Sequence, residues 1–144
     1  MLAQLPIAVV MRRAAPHARW GLAPWSPVAV RAAHEADVSE DHDGIVAHGL
    51  QLELHRDEND GYFENWVAPE PRVFVLWQVC AGQALPIAAS VSMAEGARML
   101  DSGDHADGVP MPDFVHAWLG DYLRCYHRPE TRREPRTSPR QRSA

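Results

Sequence analysis

The sequence predicts an α+β domain, in which a mostly antiparallel sheet of about six strands precedes two C-terminal helices that pack on it. Two observations favour this fold class. Residues 72–79 contain a continuous apolar run between Pro71 and Gly82, which is typical of a strand buried on both faces. Beyond residue 92, apolar residues recur every three or four positions, as on one face of a helix. The connections before that point are too short for crossover helices, so we expect an antiparallel meander.

The composition fits one domain over residues 1–128, followed by a disordered basic tail over residues 129–144. With 144 residues, of which 46% are hydrophobic, the chain can bury a core without metals or disulfides. No large apolar residue follows Pro129, so the tail cannot offset its chain entropy by burial. Residues 128–144 carry six arginines and two glutamates, or +4, so the total charge of −5 leaves −9 on the rest. The tail is either a solubilising segment or a contact for an acidic protein face, and nucleic acid is the less expected partner.

The N-terminal apolar run, residues 5–11, predicts the first strand. Arg12 and Arg13 follow this run, which is the wrong order for a secretory signal. No apolar stretch approaches the ~20 residues of a membrane helix. We therefore expect a cytoplasmic protein.

Prolines and tryptophans mark the next segment, residues 16–27, as an extended loop. Its two indoles, Trp20 and Trp25, either cover the core or form a platform for a ligand. Residues 28–30 then predict a second short strand. The acidic residues 34–43 follow, and two interpretations remain for them: a solvated surface loop or a metal cluster.

A third strand is predicted where Leu50, Leu52 and Leu54 alternate with polar residues. Asp60-Gly61 then predicts a hairpin turn, because both residue types tolerate positive φ, and residues 62–67 predict the returning strand. The acidic turn lacks the ligand spacing of a calcium loop.

The last predicted strand, residues 86–91, follows a turn at Gly82-Gln83. The two cysteines, Cys80 and Cys125, lie far apart without a CxxC motif, which excludes the usual zinc and iron–sulfur spacings. We expect both to be buried free thiols.

Two helices are predicted at the C-terminal end. Ser92 and Glu95 form a capping box for a helix that runs to Asp101, and residues 104–108 predict a polar loop. Pro112 begins the second helix, whose wide apolar stripe packs on the sheet or on a partner. The candidate partner surface combines this stripe with the tail and consists of Trp118, Tyr122, Tyr126, Arg132 and Arg133.

The motifs of common enzyme classes are absent. The chain has no GxGxxG, no P-loop, no nucleophile elbow and no HExxH. Glu53, His55 and Asp57 share one face of a strand, but alternation places that face in solvent, where charges need no function. We therefore expect no enzyme activity, no catalytic residues, no resident metal and no cofactor.

Three stretches together resemble one known family. They are WSPVAV at 25–30; LELHR at 52–56, with Asn65 and VFVL at 73–76; and LDSG at 100–103, with VPMP at 109–112 and Trp118. In this order they are similar to the uncharacterised bacterial family "domain of unknown function 3305", over residues 5–127. The resemblance implies a cellular context, because members tend to be encoded beside molybdenum- or tungsten-dependent formate dehydrogenases and their maturation proteins.

The expected function is therefore that of a non-catalytic accessory or assembly protein, which binds a formate dehydrogenase subunit or one of its maturation proteins. A second hypothesis is a protein that binds a small molecule or the molybdenum cofactor, with Trp20, Trp25, Trp66 and Trp77 lining the pocket. A third is a stable small subunit of the dehydrogenase.

Overall fold

In the part of the chain that the structure describes, the fold consists of six antiparallel strands in two three-stranded sheets and three α-helices. The computed structural model describes residues 1–13, 25–35 and 44–127. The strands are β1 (Ala3–Arg13), β2 (Trp25–Ala32), β3 (Gly44–Leu54), β4 (Arg72–Cys80), β5 (Gln83–Ser90) and β6 (His105–Pro110). The α-helices are α1 (Asn59–Trp66), α2 (Met93–Asp101) and α3 (Asp113–Tyr126), and short 3₁₀ turns occupy Ala33–Glu35 and Arg56–Glu58.

The predicted α+β class with six antiparallel strands is confirmed, but the strands divide into two sheets with the orders β2-β1-β3 and β5-β4-β6. Both sheets contribute side chains to one core. β3 lies alongside β5 and β2 lies alongside β6, although neither of these pairs is hydrogen-bonded as a ladder. Each sheet therefore keeps two edge strands, and the edges of one sheet lie beside those of the other.

The central strands of the two sheets are the most deeply buried. In β1, residues 7–11 are all buried, as expected for a strand covered on both faces. In β4, Val73 and Val75 are fully buried, which confirms its central position, whereas residues 78–80 at its end are exposed. The expectation of buried thiols is wrong, because Cys80 lies on that exposed end and Cys125 on the exposed side of α3.

The predicted hairpin at Asp60-Gly61 is wrong, because this segment forms α1. Tyr62 and Asn65 lie three residues apart and both point into the interior, which a helix allows and a strand of alternating faces does not. Gly61 permits the helix to approach α2, since an added Cβ would lie 2.3 Å from the Ser92 hydroxyl oxygen. Tertiary packing thus overrides the local turn signal.

The predicted loop at residues 104–108 is also wrong. Most of this segment belongs to β6, which pairs with β4 from Arg72↔Pro110 to Trp77↔His105. The pairing satisfies the second edge of β4, and it buries Val109. Apart from Val109, the residues of β6 are exposed or half-buried, and several of them are polar. The sequence of this strand therefore lacks the apolar run that predicts a strand.

Both C-terminal helices are confirmed. The Ser92 side chain caps α2 by accepting a hydrogen bond from the Glu95 N–H at 3.1 Å. α3 begins at Asp113, directly after Pro112. Since β3 leads into α1, β5 into α2 and β6 into α3, all three helices lie at one end of the paired sheets. Trp20, most of the acidic segment and the basic tail lie outside the described residues.

The turn between β4 and β5 offers a test of backbone strain. Ala81 has φ 53° and Gly82 has φ 80°, as in the two-residue hairpin turns that favour Asn-Gly. Alanine in this conformation costs roughly 1 kcal/mol. We expect Ala81→Asn to raise the free energy of unfolding by roughly 0.5–1 kcal/mol in urea titrations. Ala81→Val is the matched control and should lower it; equal stabilities for the two variants would contradict the strained turn.

Candidate binding cleft between β3 and β5

A cleft of about 620 Å³ lies between the neighbouring edges of β3 and β5. Both strands end at the helices, so they run in the same direction. The cleft is lined by His48, Gly49, Leu50, Gln51, Glu53 and His55 from and after β3, by Leu85, Pro86, Ile87, Ala88 and Ala89 from β5, and by Glu95 from α2. Residues 48–51 and 85–89 are consecutive runs, as expected where the backbone edge of a strand forms a wall, whereas beyond Gln51 only the alternate residues Glu53 and His55 line the cleft.

Each wall contains a β-bulge. In β3, His48 and Gly49 together face Ala8 of β1, and Gly49 has φ 95°. In β5, Ile87 is the extra residue, because Leu76 pairs with Ala88 and Trp77 with Pro86. Bulges bend strands and occur preferentially at sheet edges and beside functional sites. Gly49 within an alternating pattern is the signal that identifies the first bulge in the sequence.

The β5 wall of the cleft, near its bulge, carries apolar side chains that are open to solvent. Leu85 is 51% exposed and Ile87 is 45% exposed, on an edge strand whose main chain forms no hydrogen-bonded ladder with β3, the described strand beside it. Exposed apolar side chains beside unpaired main-chain groups are the features by which edge strands bind other chains.

The other end of the cleft, next to the helices, is polar. Glu53 and His55 form an ion pair if the imidazole is protonated, with 3.4 Å between Glu53 Oε1 and His55 Nε2. Glu95 Oε1 accepts a hydrogen bond from the Ser90 hydroxyl at 2.6 Å. Glu53 and His55 are therefore solvent-facing, as the alternation predicts, but they also belong to the cleft, which one strand's alternation does not reveal.

Tyr62 of α1 supports this polar end from below. Its phenol oxygen accepts a hydrogen bond from the His55 N–H at 2.9 Å and donates one to the Glu53 carbonyl at 3.4 Å. Burial raises the pKa of Tyr62 to about 12, and burial also raises the pKa of Tyr122, whose ring packs edge-on against it. The backbone of the cleft is thus held by a neutral, buried phenol.

The raised pKa of Tyr62 predicts alkaline unfolding. Because the unfolded chain loses this proton near pH 10 and the folded chain holds it to about pH 12, stability is complete below pH 10 and falls between the two values. A shift of this size corresponds to a loss of roughly 2–3 kcal/mol. Urea titrations across this range should show the decline. The decline should be smaller in Tyr62→Phe, which cannot ionise at this position. An equal decline of the free energy of unfolding with pH in both proteins would contradict the raised pKa of Tyr62.

A further carboxylate, that of Glu58, lies close to the cleft residue Glu95, and its charge is neutralised. Glu58 accepts a hydrogen bond from the Ser92 hydroxyl at 2.6 Å and pairs with the Arg98 guanidinium at 3.1 Å. Among the described residues no arginine lines the cleft itself, so Glu53 and Glu95 leave its polar end acidic.

The predicted partner residues on α3 have different environments. Tyr122 is buried, and its hydroxyl donates to Asn59 Oδ1 at 2.6 Å, so it belongs to the interior. Trp118 is partly buried against the core, and Tyr126 is 42% exposed. Arg132 and Arg133 lie outside the described residues. A partner surface formed by Trp118 and Tyr126 stays a prediction.

The described tryptophans do not line the cleft. Trp25 and Trp77 are buried in the core. Of the two interpretations of Trp25, this burial favours a residue that covers the core over a platform for a ligand. Trp66 stacks on His116 at a ring distance of 4.8 Å and donates its indole N–H to the His116 carbonyl. Trp20 lies outside the described residues. Sequence reasoning placed the pocket at aromatic residues, whereas the cleft is built from edge strands.

Residues 1–13, 25–35 and 44–127 contain no group of three or more His, Cys, Asp or Glu side chains placed to hold a metal ion. None of their helices has the length and apolar content of a membrane span.

Comparison with known families gives one match. The model of the family described as "Protein of unknown function (DUF3305)" matches residues 6–136. No curated protein and no solved structure matches the chain.

Proposed function

This chain belongs to the DUF3305 family of proteins of unknown function, and from that premise we propose that it is a non-catalytic accessory or assembly protein that acts by binding another protein. The expected partner is a formate dehydrogenase subunit or one of its maturation proteins, in the cytoplasm. The partner class comes from the genomic context that the family resemblance implies.

The observation that carries the binding role is the cleft between β3 and β5. An extended segment of the partner would lie along the free edge of β5, so that main-chain hydrogen bonds supply affinity. Its apolar side chains would cover Leu85 and Ile87, and its basic side chains would face Glu53 and Glu95. Main-chain pairing requires no particular sequence, so the apolar and acidic ends of the cleft would provide the specificity.

The test is affinity capture by the tagged full-length chain from cells that express the dehydrogenase operon. We expect a dehydrogenase subunit or maturation factor to be enriched, and Leu85→Glu to reduce its recovery at least about tenfold, since a charge in a buried apolar contact is costly. Leu100→Glu is the matched control, because Leu100 is equally exposed (51%) but lies on α2 and does not line the cleft. No enrichment would refute the partner class, and equal capture by both variants would refute the cleft.

The volume of the cleft also favours a second candidate, a small-molecule or molybdenum-cofactor binding protein, because about 620 Å³ lies within the size range of ligand pockets. Saturable thermal stabilisation by molybdopterin-type or nucleotide ligands, lost in Leu85→Glu, would support it. A stable small subunit, in contrast, would co-migrate with the dehydrogenase at fixed stoichiometry.

A further inference from the structure

We propose that the cleft between β3 and β5 is occupied by the chain's own arginine-rich C-terminal segment, residues 128–144, when no partner is bound. The inference rests on the proposed function only in treating the segment as a competitor for the same cleft. Its own support is the position where the segment begins, its length and its charge.

The segment begins next to the polar end of the cleft. The last turn of α3 is fixed to the residues that follow β3: Asn59 Nδ2 donates to the Tyr126 carbonyl at 2.9 Å, and the Arg56 guanidinium lies 5.7 Å from the centre of the Tyr126 ring. His127 packs on Phe63 at a ring distance of 4.9 Å. Arg56 directly follows His55, which lines the cleft. The chain therefore leaves the fold close to this end.

The segment is long enough to fill the cleft. Its 17 residues (128–144) reach up to about 55 Å when extended, at ~3.3 Å per residue. The β3 wall, residues 48–55, is about 23 Å long at the same rise. About half of the segment would therefore cover the wall, with the rest available to reach it.

The charges are complementary. The segment carries six arginines and two glutamates, whereas the cleft is lined by Glu53 and Glu95 and by no arginine. Exposed Asp57 and Asp60 lie on either side of Asn59, which binds the last turn of α3, and Glu58 is already paired with Arg98. Tethering raises the effective concentration of the segment at the cleft, so that pairs too weak to bind a free peptide suffice here.

The composition of the segment also suits an edge-lined cleft. Proline favours extended backbone, and between Pro129, Pro135 and Pro139 stand residues that have the N–H groups needed to pair with a strand edge. The aliphatic stems of arginine can cover Leu85 and Ile87 while the guanidinium groups reach the carboxylates.

The test compares the amide chemical shifts of the ¹⁵N-labelled chain with those of a triple variant, Arg132→Gln/Arg133→Gln/Arg136→Gln, at low and high salt. We expect the differences outside the segment to concentrate at residues 48–55, 85–90 and 95, and to disappear at high salt. Glu53→Gln/Glu95→Gln should reproduce these differences, whereas Glu64→Gln, an exposed carboxylate on α1 away from the cleft, should not. Differences confined to the segment, or concentrated on another surface, would overturn the proposal.

Chemical shifts measured at several protein concentrations distinguish the chain's own segment from the segment of a second copy. Shifts that are independent of protein concentration support the chain's own segment, whereas shifts lost on dilution assign the cleft to a second copy's segment and overturn the proposal. In the capture experiment, the arginine variant should recover several-fold more partner. If capture depends on the cleft but the shifts do not change, the segment proposal fails while the proposed function stands. If the shifts change as expected but capture does not depend on the cleft, the proposed function fails while the segment proposal stands.

Discussion

Val75→Asp is expected to abolish folding of the domain. Val75 is fully buried at the centre of β4, hydrogen-bonded between β5 and β6 and packed in the core that both sheets share. A carboxylate there would have no ionic partner, at a cost of about 3–5 kcal/mol or more. Total stabilities are only about 5–15 kcal/mol. Circular dichroism melting should show loss of the cooperative transition or a large drop in Tm.

The control for this variant is Gln78→Asp, which introduces the same side chain at an exposed position of the same strand. Its Tm should stay close to that of the unmodified protein, because water solvates the charge. An unchanged Tm for Val75→Asp would show that β4 is not the core strand of its sheet.

The second large effect is expected for Asn65→Ala. Asn65 is fully buried, and its side-chain amide joins three main-chain groups: Nδ2 donates to the carbonyls of Arg72 and Val91 at 2.8 Å each, and Oδ1 accepts from the Arg72 N–H at 3.0 Å. Removing it leaves these groups unpaired in the interior, each at a cost of about 1–3 kcal/mol. We expect a total loss of about 3–5 kcal/mol in urea unfolding.

Glu64→Ala is the matched control, since Glu64 is the exposed neighbour of Asn65 on the same helix. Its stability should change by less than about 0.5 kcal/mol. A loss below about 1 kcal/mol for Asn65→Ala would contradict the view that this amide connects α1 to the start of β4 and to the end of β5.

The candidate site was only partly accessible to sequence reasoning. Alternation around Leu52 correctly placed Glu53 and His55 on the solvent side of β3. It could not show that this side faces β5, because the two strands are separated by α1 and β4 in the chain and are not paired by hydrogen bonds. The tryptophans attracted attention as large aromatic residues, yet Trp25 and Trp77 serve the core.

By itself, the sequence determined the α+β class, the central strand β4, the cap of α2 and the apolar stripe of α3, because these depend on periodicity and on contacts within a few residues. Only the tertiary structure decided that residues 59–66 form a helix, that residues 105–110 complete a sheet, and that the strands divide into two sheets. Asn65 stabilises α1 through groups at Arg72 and Val91, and β6 exists because β4 offers a free edge. Such long-range hydrogen bonds leave no local pattern. The same is true of the packing of the two sheets on one core, which places β3 beside β5 and forms the cleft.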